Sequence, residues 1–223
     1  MVFWSNILIP VTSMMITVFA TLYTVSERIK NENKEKHKPY LTLDDIEQLD
    51  KVDEYKYYLT VLGRNYRKNH QNWNIEEIVE DKKKEYIEVR ILLDNIGYGV
   101  ASNIKFYDLL TAEQIKGTQT PSKEKNQKLL TTFDIANNKQ KQVQVKIYNK
   151  IEKEEEIENP DHCRILCIYQ DLNGNTYDFI ISINIKSNNA YDFFTYQRTS
   201  HSYARWIKET KKNYQKIIRE YKK

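Results

Sequence analysis

Glycine and proline are scarce: five and four in 223 residues. That leaves little room for a glycine-rich phosphate loop or a proline-rich linker. Two cysteines exclude a disulfide-stapled scaffold. No Asn-x-Ser/Thr acceptor and no internal repeat occurs. Neither sign of charge dominates, since 35 Lys and Arg face 31 Asp and Glu, for a net charge of +4 at 30% charged residues. The hydrophobic fraction of 40% counts 17 tyrosines. Without them the chain is apolar-poor for a globular protein, and a polytopic membrane protein is excluded. What remains is one apolar run and a polar domain with a modest core of Ile, Leu, Val and Tyr.

The apolar run comes first. Met1 to Ser26 carries no charged side chain, and Ile7, Leu8, Ile9, Val11, Met14, Met15, Ile16, Val18, Phe19 and Leu22 dominate it. Val2–Val25 makes roughly 36 Å of helix at 1.5 Å per residue, against a bilayer core of about 30 Å. Trp4 and Tyr23 stand near its ends, where amphipathic rings prefer the headgroup level. A cleaved signal peptide is the alternative. The missing basic residue upstream and the length of the run favour an uncleaved anchor. Downstream follow Arg28, Lys30, Lys34, Lys36 and Lys38, so the positive-inside rule places the remaining chain in the cytoplasm. The Glu- and Lys-rich segment to Lys38 continues the helix, and Pro39 ends it.

Beyond Pro39 the pattern shifts to short runs at period two. Candidate strands are Tyr40–Leu43, Tyr55–Leu62, Tyr86–Leu93, Asn103–Leu109, Leu129–Ile135, Gln142–Tyr148, Cys163–Tyr169 and Thr176–Ile185. Val143, Val145 and Ile147 alternate with Gln142, Gln144 and Lys146, which reads as a half-buried edge. Arg64–Lys84 reads as a polar excursion with a short helix over Asn74–Lys84. Thr111–Lys128 reads as a long loop, and Glu152–Glu158 as an acidic one. From Ser202 to Lys222, Tyr203, Ile207, Thr210, Tyr214, Ile217 and Tyr221 recur three or four apart. Arg205, Lys208, Lys211, Lys212, Lys216 and Arg219 occupy the other side.

The fold expected is mainly β: an N-terminal transmembrane helix, an Ig-like antiparallel β-sandwich of about eight strands, and a C-terminal amphipathic basic helix. Its divisions are an anchor over 1–26, a charged juxtamembrane helix over 27–38, the sandwich over 39–187 and the basic terminal segment over 188–223.

Two turns stand out. In Leu93–Ile104, Gly97 and Gly99 follow a strand directly and suggest left-handed φ or close backbone approach. Asn95 there can bond the local backbone, and Ala101 is small enough to lie under a neighbouring strand. A dinucleotide loop would need a third Gly opening a helix, and a β-like run follows instead. In Tyr169–Asp178, Asn173-Gly174 signals a hairpin. A calcium reading of Asp171, Asn173, Asn175 and Asp178 fails on spacing, because Gly falls at loop position 4 rather than 6, and position 12 is Ser182.

These features together carry a resemblance. The apolar anchor runs into a charged helix and then Lys38-Pro39-Tyr40-Leu41. There follow Leu93, Asn95, Gly97, Gly99, Ala101 and Asn103, then Tyr169, Asp171, Gly174, Asn175 and Tyr177, and late in the chain Tyr196-Gln197-Arg198-Thr199 before the basic helix. The chain resembles a loose group of small membrane-anchored β-sandwich proteins of low-GC Gram-positive bacteria and their mobile elements. The resemblance covers most of the chain outside Arg64–Lys84 and Thr111–Lys128. It implies the fold and no catalytic residue.

No catalytic, cofactor or metal constellation emerges. Cys163 and Cys167 on one strand face lie roughly 13 Å apart, too far for a disulfide or shared chelation, so two buried, reduced thiols are expected. His162 beside Cys163 points to the opposite strand face, which argues against a dyad. The basic tail is the best functional surface. Packing on the sandwich ranks first as its role. Contact with anionic lipid or a protein partner ranks second, at about 1 kcal/mol per basic residue near a membrane, and nucleic acid ranks last. The function expected is a membrane-anchored binding or scaffolding module at the cell membrane with a cytoplasmic sandwich. The alternatives are a tethered effector or enzyme using His162 or Glu152–Glu158, and an extracytoplasmic binding domain.

Overall fold

The computed structural model describes residues 2–45, 55–63, 86–121, 128–130, 132–148, 162–185 and 191–223. The expected excursion Arg64–Lys84, its helix and the acidic loop Glu152–Glu158 lie outside the described residues. The chain divides into two compact units, Met1–Lys38 and Pro39–Lys223.

The first unit is one α-helix, α1 (Val2–Lys36). Its charged half is tied by pairs at helical spacing, Arg28 to Glu32 and Lys30 to Glu27. In its uncharged half the hydroxyls of Thr17, Thr21 and Thr24 donate to the carbonyls of Ser13, Thr17 and Ala20 at 2.9, 2.8 and 2.8 Å. Among the described residues no helix is long and apolar enough to cross a membrane. The side chains of residues 2–11 are outside that description, and Thr12–Ser26 is 15 residues long, short of the roughly 20 a span requires.

The second unit is a sandwich of two sheets. Its described strands are β1 (Leu41–Asp45), β2 (Tyr55–Leu62), β3 (Tyr86–Asn95), β4 (Ala101–Asp108), β5 (Glu113–Gln114), β6 (Gly117–Pro121), β7 (Lys128–Leu130), β8 (Phe133–Ile135), β9 (Lys139–Tyr148), β10 (His162–Gln170), β11 (Thr176–Ile185) and β12 (Tyr191–Gln197). The first sheet runs β1-β3-β9-β2-β6-β7, and the second runs β12-β11-β10-β4-β5 with β8 also on β4.

Period two decides what each strand buries. Ile87, Val89, Ile91 and Leu93 of β3 face inward, as do Val143, Val145 and Ile147 of β9, and Cys163, Ile165, Cys167 and Tyr169 of β10 answer them from the other sheet. Tyr57, Phe106 and Phe133 form an aromatic cluster in this core, with Tyr57 and Phe133 edge-on at 4.6 Å between centroids.

The structure corrects four expectations. There are twelve described strands, not about eight, because Thr111–Lys128 contains β5 and β6, Leu129–Ile135 splits into β7 and β8 on different sheets, and β12 lies beyond residue 187. The sandwich is not wholly antiparallel, since β2 and β9 pair in parallel. Strand β9 is no edge: β3 and β2 flank it. Alternation reports which face is covered, not where a strand sits in its sheet. Finally, the terminal helix is two helices, described below.

β6 escaped notice because its sequence is written for a neighbour. A Cβ on Gly117 would fall inside the Tyr57 ring. Tyr57 is fully buried and has nowhere to retreat. Gly117→Ala should therefore destabilise the protein by about 2 kcal/mol, the cost of overpacking a closed core. Urea unfolding followed by tyrosine fluorescence measures it, and the double change Gly117→Ala with Tyr57→Phe should not recover the loss, because the ring itself collides.

Candidate interaction surface

The segment after β12 folds back over the outer face of the second sheet as two helices, α2 (His201–Glu209) and α3 (Lys211–Tyr221). Ser200 caps α2, accepting from the Tyr203 N–H at 3.0 Å. Thr210 interrupts the run: its hydroxyl donates to the Trp206 carbonyl at 2.7 Å, and its backbone leaves the helical region at φ −111° and ψ 26°. The expected apolar stripe is what packs. Tyr203, Ile217 and Tyr221 are buried, with Trp206, Ile207, Tyr214 and Ile218 beside them, on Leu109, Leu166, Ile168 and Ile180 of the sheet side. The stripe thus packs on the sandwich, as expected. Two polar contacts fix its direction. The Asn213 side chain donates to the carbonyls of Leu109 and Leu110 at 3.2 and 2.7 Å, and the Tyr221 hydroxyl donates to the Asn103 carbonyl at 2.7 Å. Asn103 and Leu109 lie near opposite ends of β4, so α3 runs back toward the end from which α2 departs.

A buried polar cluster joins these helices to β11. The Asp178 side chain is 0% exposed and pairs with Arg198. The Tyr203 hydroxyl donates to the same carboxylate, and the Tyr214 hydroxyl does so at 3.3 Å. Burial, then the Asp178 charge, pushes the Tyr203 phenol far above its usual range. Burial works against the Arg198 charge, but Asp178 more than offsets it, so that guanidinium is held above its ordinary range. Burial, and then the Glu220 charge, push the nearby Tyr107 phenol up to about 12. None of these three groups exchanges a proton near neutrality, and the cluster is a clasp rather than acid–base machinery. The sequence brings up Arg198 and Asp178 in separate motifs, and nothing in it joins the two. The available signal was an acid inside the strand Thr176–Ile185.

On the opposite side of the hairpin, Arg205, Lys208, Lys211, Lys212, Lys216 and Arg219 are all exposed. Arg205 pairs with Glu209 at 3.3 Å and Lys216 with Glu220 at 3.9 Å. Lys208, Lys211, Lys212 and Arg219 have no ion-pair partner among the described residues. The hairpin therefore presents positive charge outward while its aromatic stripe is spent on the sheet.

The predicted turns are structural. Asn95 is 0% exposed. Its Oδ1 accepts from the Tyr40 and Gly97 N–H groups at 3.1 and 3.2 Å, and its Nδ2 donates to the Gly99 and Ile135 carbonyls at 2.8 and 3.0 Å. Gly97 and Gly99 do not have positive φ, contrary to one expectation; the left-handed position nearby is Asn103, at φ 52°. There β4 shifts register against β8, and Asp134 accepts from the Asn103 N–H at 2.7 Å. Ala101 is buried between the sheets.

The second turn spans Asp171–Asn175, with the left-handed residue at Gly174, φ 78°. It is wider than a two-residue hairpin, because Gln170 pairs with Thr176. The Asp171 carboxylate accepts from the N–H groups of Asn173 and Asn175, the Asn175 amide and the Tyr177 hydroxyl. Burial raises its pKa, yet these bonds hold it below the usual carboxylate range. Asp178 belongs to the clasp, so the turn does not gather the four residues of a calcium loop.

Cys163 and Cys167 are buried and not joined in a disulfide, and burial pushes the Cys167 thiol well above its usual range. His162 is half-buried at the start of β10. Among the described residues no three His, Cys, Asp or Glu stand close enough to hold a metal ion. A cavity of about 440 Å³ opens beside β1 and β12, lined by Leu41, Leu43, Ile96, Phe179, Thr195 and Gln197, none of them ionisable. No family model matches this chain, and no curated protein or solved structure does either.

Proposed function

We propose that the protein is a single-pass, membrane-anchored binding or scaffolding module whose sandwich faces the cytoplasm. The observation that carries this reading is the first helix. α1 is continuous over 35 residues from Val2 to Lys36, and its sequence is uncharged through Ser26. The polar residues that soften the run turn three threonine hydroxyls onto their own helix backbone, which removes the need for water around them. The five basic residues from Arg28 to Lys38 support the cytoplasmic orientation, and the two buried thiols, not joined in a disulfide, are compatible with a reducing compartment.

On this reading the sandwich is Ig-like in its two facing sheets, with the parallel β2–β9 pair as its departure, and the chain joins the membrane-anchored group it resembles. The exposed basic face of α2 and α3 suits an anionic partner. The clasp at Asp178 offers no reacting group, which favours a binding role over a tethered enzyme.

Two fusions at Lys223 test the proposal, one to a reporter active only in the cytoplasm and one to a reporter active only outside. The expected result is signal from the first alone, with the protein retained in the membrane fraction after alkaline carbonate. Signal from the second would make the sandwich an extracytoplasmic binding domain, and release by carbonate would remove the anchor.

A further inference from the structure

The strand registers gather one set of turns at a single end of the sandwich. Pro39 leads into β1, whose first residue Leu41 pairs with Asn95. Lys139 pairs with the same Asn95, which brings in the β8–β9 turn. Ser102 pairs with Gln170, and Gln170 with Thr176, which brings in the Asp171–Asn175 turn. Gln197 pairs with Phe179, and the Tyr40 hydroxyl donates to the Gln197 side chain at 2.7 Å. Tyr221 reaches Asn103 here as well. This proximal end is where the chain arrives from α1.

It also carries large apolar side chains turned to water. Ile96 is 55% exposed, Tyr98 81% and Leu172 70%, all at turn tips. None is needed to form its turn, since Asn95 and Asp171 do that work with buried polar groups. Positive charge stands at the same end: Lys139 is exposed, and so are Arg219, Lys222 and Lys223 where α3 finishes. The described acids there are Asp94, Asp134, Asp171 and Glu220, of which Asp94, Asp134 and Asp171 accept hydrogen bonds from Gln140, the Asn103 N–H and the N–H groups of Asn173 and Asn175.

We infer that this proximal end docks on the lipid interface, with Tyr98, Ile96 and Leu172 entering the headgroup region and the surrounding cations facing anionic lipid. The inference rests on the anchor reading above. A tyrosine tip with aliphatic neighbours and a basic rim is the composition that partitions at a headgroup boundary. The tether makes the encounter intramolecular, because α1, which would hold the chain in the bilayer, ends at Lys36, three residues before Pro39. Lys211 and Lys212 sit near Asn213 and the Leu109 carbonyl, at the opposite end.

The test uses the full chain in vesicles of phosphatidylcholine with a minor share of phosphatidylserine. A single cysteine at Tyr98 (Tyr98→Cys) carries an environment-sensitive dye, and a second protein carries it at Lys212 (Lys212→Cys). The native thiols are buried, and the parent chain measures any background labelling. The expected result is a blue shift at 98, loss of that emission when the lipid acyl chains are brominated, and no protection from aqueous iodide at 212. A dye at 98 that iodide quenches freely, in protein that still floats with the vesicles after carbonate, overturns the docking while sparing the anchor. Protein that fails to float overturns both. A shift at 212 instead of 98 makes the lateral basic face the lipid contact. A shift at 98 that grows with protein concentration in detergent, without vesicles, assigns the tips to a second copy of the chain. Either result overturns the inference.

Discussion

Alanine at Asn95 should destabilise the sandwich by about 4 kcal/mol. The side chain serves four backbone groups, the N–H of Tyr40 and Gly97 and the carbonyls of Gly99 and Ile135. All four depend on an amide with no solvent access. A buried polar group left unsatisfied costs about 1–3 kcal/mol, and partial relaxation keeps the sum below four times that. For a protein of this size the loss corresponds to a Tm lower by roughly 10 °C, readable by near-ultraviolet circular dichroism. Asn95→Asp discriminates the donors from the acceptors. It keeps the two bonds to Oδ1 but sets a carboxylate oxygen against the Gly99 and Ile135 carbonyls. That variant should be as weak as alanine at neutral pH and regain stability as pH falls, when the protonated acid donates again. A loss below about 1 kcal/mol for Asn95→Ala would mean that water replaces the amide and that the turn is not held as described.

Removing the cation from the clasp comes next in size. Arg198→Ala leaves the Asp178 carboxylate with two phenols and no counter-charge. Breaking a buried pair costs about 3–5 kcal/mol. The low end, about 3, applies here because the Arg198 side chain is half-exposed and its removal lets water approach. The damage should be local. Amide exchange should accelerate in α2 and α3 before it does in the inner strands β3, β9 and β10, since the hairpin is what the clasp holds. Adding Asp178→Leu should restore most of the loss, because the orphaned charge then disappears and the site lies against Ile180 and the apolar stripe. If Arg198→Ala alone leaves urea unfolding unchanged, the phenols suffice and the ion pair is incidental.

What the sequence made visible was whatever one strand or helix states by itself. The alternation of Ile87, Val89, Ile91 and Leu93 told which face of β3 is buried, and the spacing from Tyr203 to Tyr221 told which side of the tail packs. Seven of the eight candidate strands coincide with described strands for the same reason, and the eighth, Leu129–Ile135, is two strands on different sheets. Relations between distant segments were not visible. β6 carries Gly117 because of Tyr57, sixty residues earlier, and nothing in Gly-Thr-Gln-Thr-Pro names that partner. The parallel β2–β9 pairing has no signature in either strand. Asn95 was recognisable as a turn residue, but its bond to Ile135, 40 positions on, was not. Asp178 attracted attention as a cation ligand, while its true partners lie 20, 25 and 36 residues along the chain.

The covered outer face of the second sheet has a consequence for biosynthesis. Leu166, Ile168, Ile180 and Asp178 are translated before any residue of the hairpin that encloses them. For that interval the nascent sheet displays a greasy flank to chaperones and neighbouring polypeptides. The carboxylate in its midst keeps the flank wettable while it waits. Once Arg198 and the two tyrosines emerge, the same charge becomes the latch that seals it, so a ribosome stalled before Ser200 would leave a product recognisable to quality-control proteases.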